Sequence, residues 1–296
     1  MNDTAASLRK KINVAGDLQS VVRTMKAAAA SNIGKYEKSV RALDDYFHIA
    51  EMGLGVCFRE LKFIPLNPQP PAQKSSNPFN VVIFGSDLGL VGQFNDDIVD
   101  YAKKTIKDFP VKPRVWAVGE RVHARMQNAG IALKELFAVP TSVKSITPLV
   151  GQILVNSKYR QYSGTTELHL FYNRLSASSI YVPVGLRLLP MDKKWRHTLS
   201  DHPWPAKKIP EVMGSLTSAF HALISEYLFI SIFRACTESL ASENAGRLAA
   251  MQRANKNIDE LMDDLKGTFF RLRQSSIDEE LFDVISGFEA LRKNHT

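Results

Sequence analysis

Cysteine is nearly absent from this chain. Among 296 residues there are two, Cys57 and Cys236, far apart and in no CxxC spacing. That excludes a disulfide framework or a cysteine-ligated zinc site as the organising device, and a reducing compartment is expected. The seven histidines show no HxxxH spacing, so they read as surface or packing residues. No uninterrupted apolar run reaches the ~18 residues of a bilayer span, so no membrane-crossing segment is expected. The opening stretch MNDTAASLRKKIN lacks the apolar core of a signal peptide and is not acid-free like a transit peptide, so it is expected to belong to the folded chain. Proline is missing from Thr4 to Leu61 and again after Pro210.

What is present fits a packed protein. Apolar residues make up 45% and charged residues 23%, which excludes wholesale disorder and allows one or two domains. The net charge of +8 is dispersed over the chain and forms no single stripe. It fits a basic protein held against acidic protein surfaces better than a nucleic-acid binder.

The two proline-free blocks carry helical periodicity. In the first, Leu8, Ile12, Ala15, Leu18, Val22, Met25, Ala29, Ile33, Tyr36, Val40, Leu43, Phe47, Ala50 and Leu54 recur at steps of three and four. That spacing is the seam of a coiled coil. Gly16, Gly34 and Gly53 weaken the helix locally. The last block repeats the pattern through Leu223, Tyr227, Ile230, Leu240, Asn244, Leu248, Met251, Ala254, Ile258, Leu261 and Leu265, and resumes with Ile277, Leu281, Val284, Phe288 and Leu291. Continuous helices of these lengths reach on the order of 80 and 120 Å. The acids Asp278, Glu279 and Glu280 follow Ser275-Ser276 and read as the capped start of a helix.

Between the blocks the pattern changes. VVIFGS, RVWAVG, ELHLFYNR and PVGLRLLP read as strands, and FNDDIVDYAKKTIKDF, ERVHARMQNAG and ITPLVGQILVNSKYRQY as helices. Alternating strands and helices predict a mostly parallel sheet with crossover helices. The predicted organisation is a helical arm over 1–63, a linker over 64–80, an α/β domain over 81–191, a linker over 192–209 and a second arm over 210–296. The two arms are expected to pair antiparallel.

The α/β domain invites a nucleotide, but its first loop, GSDLGLVGQFN, spaces its glycines unlike a phosphate-binding loop and has no following lysine. A turn that brings helix and strand close together is the better reading. Asp87, Asp96 and Asp97 are near enough in sequence to attract a cation, yet they complement a helix start equally well. No cofactor and no metal are expected. Small residues crowd two places, Ala28, Ala29 and Ala30 in the first arm and Gly246, Ala249 and Ala250 in the second. They predict a slim zone where the arms cross closely.

At this point the residues carry a resemblance. LRKKINVAGDLQSVVRTMKAAAAS is similar to the N-terminal pattern of the F-type ATP synthase gamma subunits, through Ile12, Val14, Met25, Lys26 and Ala28 to Ala30. SDLGLVGQFN matches their loop through Ser86, Asp87, Gly89, Leu90, Gly92 and Asn95. SENAGRLAAM matches through Ser242, Glu243, Arg247, Ala250 and Met251. RLRQSSIDEELFDVISGFEAL matches through Arg273, Gln274, Ile277, Glu280, Ile285, Ser286, Gly287, Ala290 and Leu291. Leu88 stands where the family has arginine, Val91 where it has cysteine, and Asp278 where threonine is common. The chain therefore resembles a diverged bacterial or archaeal-type member.

The resemblance implies a fold of N- and C-terminal helices paired as an antiparallel coiled-coil shaft, with a Rossmann-like α/β foot domain between them. It implies a non-catalytic rotor that couples ion-driven rotation to the catalytic sites of an alpha/beta hexamer. An epsilon-type subunit and a membrane c-ring are the further partners, at the cytoplasmic face of the membrane. The apolar end of the shaft (Ile277, Leu281, Val284, Phe288, Leu291) is then expected to bear on the hexamer. Arg23, Met25, Lys26, Arg247, Arg273, Gln274 and Glu280 are the expected contacts elsewhere. Arg247→Ala is expected to weaken coupling with folding intact. Two rival readings stand beside this one: an α/β enzyme with a coiled-coil dimerisation arm, and a coiled-coil nucleic-acid or adaptor protein.

Overall fold

The computed structural model describes residues 4–61, 79–157, 167–189, 193–201, 204, 210–212 and 214–293, of which the side chains at 61, 193–194 and 288–293 are not described. The expected linker over 64–80 lies almost wholly outside the described residues. The chain divides into two compact units, one of Met1–Ala28 with Leu248–Thr296 and one of Ala29–Arg247. Two helices run through both: α1 (Ala5–Leu61) and α6 (Leu216–Lys293).

In the larger unit the core is a five-stranded sheet. Its strands are β1 (Phe79–Phe84), β2 (Arg114–Val118), β3 (Leu133–Phe137), β4 (Glu167–Leu175) and β5 (Tyr181–Leu189). The order is β3-β2-β1-β4-β5, parallel except for β5, which runs antiparallel to β4. β1 shows why its sequence is apolar throughout. Side chains alternate across a strand, and here both faces are covered. Val81 and Ile83 pack with Ile98 and Ala102 of α2 (Phe94–Lys107) and with Val122 and Met126 of α3 (Glu120–Asn128). Val82 and Phe84 pack with Ile146, Val150 and Ile153 of α4 (Ile146–Asn156), and with Leu228, Ile232 and Cys236 of α6.

α1 and α6 lie side by side in this unit. Asn32 Nδ2 donates to Asn244 Oδ1 at 3.5 Å, Arg234 pairs with Asp44 at 3.1 Å, and the rings of Phe47 and Tyr227 are 5.5 Å apart. As α1 advances the α6 partner number falls, so the pairing is antiparallel, as the sequence predicted. Two close approaches of α1 are at Gly53 and Gly55. A Cβ on Gly53 would stand 3.1 Å from the Leu223 side chain, and one on Gly55 2.5 Å from the Leu199 carbonyl oxygen. Leu199 belongs to α5 (Lys193–Asp201), a helix inside the stretch 192–209 expected to be a linker.

In the smaller unit Leu8, Ala15 and Met251 are buried, and Ile12, Val22, Met25, Ala254, Ile258 and Leu265 are half-buried. Gln19 hydrogen-bonds Asp259, whose other oxygen accepts from Asn255 Nδ2 at 2.8 Å. Of the predicted seam as far as Leu265, Leu18 and Leu261 turn outward, and Met262 is half-buried in place of Leu261. A straight α-helix drifts by ~20° per heptad against a 3.5-residue repeat, so a strict stripe leaves the seam.

Other expectations are corrected. β3 was missed because it is an edge strand, with Lys134, Glu135 and Leu136 exposed and no alternation to read. No helix starts at Asp278, since α6 is continuous through Ser275 and Ser276, so capping does not explain those acids. The expectation that no segment meets the membrane-span criteria also changes. An 18-residue window of α6 has mean hydropathy 1.4, enough by length and composition. The same helix contributes Leu228, Ile232 and Phe233 to the core beneath the sheet.

Candidate functional site

The loop Ser86–Gln93 leaves the carboxyl end of β1 at the centre of the sheet. Between β1 and the loop is Gly85, where a Cβ would collide with the Val122 side chain of α3. Glycine there lets strand and helix approach, as expected from the spacing. Asn95, buried at the start of α2, accepts from Ser86 N at 3.0 Å and donates to Ser86 Oγ at 2.8 Å. Ser86 Oγ donates in turn to the Leu88 carbonyl at 2.9 Å. Gly92 has φ +66°, and Leu90 is held at φ +63°, a region that side-chain-bearing residues seldom adopt. Asp87 Oδ1 accepts from Glu120 N and Oδ2 from Val139 N, both at 2.9 Å. Ser86 and Asn95 thus hold the turn together, Asp87 ties it to α3 and to the segment after β3, and Gly89 stands open beside Arg121. Asp96 is paired with Arg125.

Asn95→Asp keeps the acceptor and loses the donor while adding a buried charge. It is expected to destabilise the chain by about 2 kcal/mol, read as a lower urea midpoint with an unchanged slope.

The loop meets α6. A Cβ on Gly246 would stand 3.0 Å from the Val91 carbonyl oxygen and 3.2 Å from the Tyr181 ring. Gly246 therefore serves contact between α6 and the sheet domain, which corrects the expectation that it meets the alanine run of α1. That run is corrected too. Only Ala29 is buried, while Ala27, Ala28 and Ala30 are exposed. Ala29 alone continues the seam, four residues after Met25, and the other three alanines fall off that stripe. Ala249 and Ala250 are half-buried.

On either side of Gly246 in the chain, Glu243 and Arg247 form a pair at 2.7 Å, with side chains only 8% and 12% exposed. Burial raises the Glu243 pKa, Arg247 opposes the rise, and the charge of Asp87 adds to it. Arg247 was expected to reach a partner, and the structure turns it inward instead.

A second polar cluster has no signature in the sequence. Arg234 of α6 bonds Glu238 at 2.9 Å and Asp44 of α1 at 3.1 Å. The Tyr172 hydroxyl of β4 lies beside them, its pKa raised first by burial and then by Glu238. Helix, helix and sheet are pinned at one point. The i,i+4 spacing of Arg234 and Glu238 was visible, but nothing in the sequence distinguished it from a solvated pair.

The remaining predicted contacts are on the surface. Arg23, Lys26, Arg273, Gln274 and Glu280 are exposed, whereas Met25 is half-buried in the seam. Ile277, Leu281, Val284 and Ile285 are 46%, 55%, 70% and 54% exposed, and Phe282 between them is 69% exposed. Phe288 and Leu291 lie outside the described side chains.

Comparison with known proteins gives this architecture a family. A family model described as ATP synthase matches residues 4–291. The chain is 26% identical to an ATP synthase gamma chain of Syntrophus aciditrophicus over 97% of its own length and 98% of the relative's. It is 25% identical to the gamma chain of Moorella thermoacetica over 96% and 98%. Among solved structures, it superposes on a chain of the Euglena gracilis mitochondrial ATP synthase OSCP/F1/c-ring structure with TM-score 0.64. That likeness has 18% identity and covers 99% of this chain and 96% of that one, and it shows the shared fold. A chain of the Euglena rotor structure gives TM-score 0.62 at 15% identity, over 92% and 98%. With two long helices flanking a mixed sheet and a match from residue 4 to residue 291, the chain belongs to the ATP synthase family, among its gamma chains.

Proposed function

We propose that this chain is the central rotor of an ATP synthase and is itself non-catalytic. The observation that carries the proposal is the uncovered end of α6. Over Ile277–Ile285 five large apolar side chains are roughly half or more exposed. Exposed apolar clusters of this kind call for a covering partner surface. In a rotor that surface is the inner wall of the alpha/beta hexamer. Apolar contact without directional bonds lets the shaft turn with little angular preference. The exposed Arg23, Lys26, Arg273, Gln274 and Glu280 then meet polar groups of the hexamer at particular angles.

The coupling is a matter of differential affinity. An asymmetric shaft that fits one state of a catalytic site better than another shifts that site's population as it turns. The sheet domain acts as the foot, with the c-ring and an epsilon-type subunit as its partners at the cytoplasmic face of the membrane. Arg234, Glu238, Asp44 and Tyr172 suit this role because they tie both helices to the sheet, so torque taken up by one element reaches the others.

Co-expression with alpha and beta subunits tests the reading. One copy of this chain per hexamer is expected to co-purify. A stable homodimer that binds a small ligand and ignores the hexamer would instead support the rival of an enzyme with a dimerisation arm.

A further inference from the structure

In a parallel sheet with helical crossovers, strand carboxyl ends and helix N-termini converge on one edge. Where the strand order changes direction, that edge is the usual seat of a bound anion. In this sheet β1 lies between β2 and β4, so its loop leaves at such a point. Two backbone N–H groups from separate segments converge there. One belongs to Glu120, the first residue of α3, and follows Gly119 at φ +114°. The other belongs to Val139, just past β3. Both are taken by one carboxylate, that of Asp87, at 2.9 Å to each oxygen.

We propose that Asp87 is a resident anion, filling with its own carboxylate a small-anion seat at the carboxyl edge of the sheet and so fixing the loop that braces α6. A carboxylate bridging two N–H donors is how a protein holds a free monocarboxylate or one edge of a phosphate. Here the anion is tethered to the loop. The tether joins the β1 loop, the start of α3 and the segment after β3. The same loop carries Val91, whose carbonyl oxygen lies 3.0 Å from where a Gly246 Cβ would stand. Its place on α6 is therefore set from the Asp87 end. Emptying the seat frees two N–H groups to take an external monocarboxylate. The consequence for coupling rests on the rotor reading above, whereas the seat itself does not.

The test uses full-length Asp87→Ala, with sodium formate as the probe and sodium chloride at equal ionic strength as the control. Hydrogen exchange at the Glu120 and Val139 amides is expected to accelerate by about tenfold or more, and formate is expected to restore protection at both. The wild type should not respond to formate. Unchanged protection in the variant, or the same formate response in the wild type, overturns the seat. If the alanine variant does not fold, Asp87→Asn is read instead. It keeps one acceptor oxygen, so one of the two amides should lose protection, and full protection of both overturns the proposal. In the assembled complex Asp87→Ala should lower ions pumped per ATP hydrolysed, with recovery in formate. Unprotected amides with unchanged pumping overturn the bracing role alone. Failure of even the wild-type chain to join the hexamer counts against the rotor reading and leaves the seat standing.

Discussion

Arg247→Ala is expected to destabilise the chain by about 3 kcal/mol. Its guanidinium is 12% exposed and Glu243 is 8% exposed, so removing it strands a carboxylate in the interior. Burial already raises the Glu243 pKa, Asp87 raises it further, and Arg247 is what opposes both. The sign of the pH effect follows. A carboxyl with a raised folded pKa contributes stability below its unfolded pKa, about 4.3, and loses it as pH rises through the folded value. In Arg247→Ala the folded value rises further, so the deficit should be smallest near pH 4 and grow toward neutrality. Urea unfolding at the two pH values checks this. Adding Glu243→Gln should recover part of the loss and remove the pH dependence. A deficit below about 0.5 kcal/mol at neutral pH, the range of an ordinary surface substitution, would contradict the buried-pair account. The burial of this pair makes a loss of stability the expected result for Arg247→Ala in place of intact folding, so exposed Arg273 is the cleaner probe of contact with the hexamer.

Gly119→Ala is expected to cost more, about 4 kcal/mol. At φ +114° any side chain is strained, and here the new Cβ would stand 2.8–2.9 Å from the oxygen, carbon and nitrogen of Ser86. Those are backbone atoms of the loop, already bound to Asn95 and to the Arg121 N–H, so they have nowhere to move. Gly130→Ala is the control. It also has positive φ, +77°, but nothing lies within 4 Å of its added carbon. It should show the conformational strain alone, about 1 kcal/mol. Equal losses at the two positions would mean that the close approach to Ser86 is not what requires glycine at 119.

These two residues also mark how far the sequence could be read. The stripes from Leu8 to Leu54 and from Leu223 to Leu265 were legible because a helix seam repeats every three or four residues, and nearly every member is covered. β1 was legible because a central strand is apolar on both faces. β3 was not, because an edge strand is solvated on one side and its LKELF has no period. The loop was legible as a motif, through Ser86, Asp87 and Asn95, but its use of Asp87 was not. The donors Glu120 and Val139 are 33 and 52 residues away in the chain, and only the sheet order brings them together. Arg247 failed for a related reason. A charged i,i+4 pair reads the same whether it is solvated or buried. The alanine run failed by simple geometry, since four adjacent residues point around the whole helix.

The most direct measurement of the rotor reading uses the buried state of both native cysteines. Ala177 lies exposed beyond the end of β4, so Ala177→Cys offers a single reactive thiol on the sheet domain. A probe on that thiol is observed with the alpha/beta hexamer immobilised and this chain assembled into it. On adding ATP the probe is predicted to turn in one direction, in steps of three-fold symmetry, and to stop when ATP is exhausted. Sustained ATP hydrolysis by the labelled complex, with the probe stationary or wandering without direction, would contradict the account.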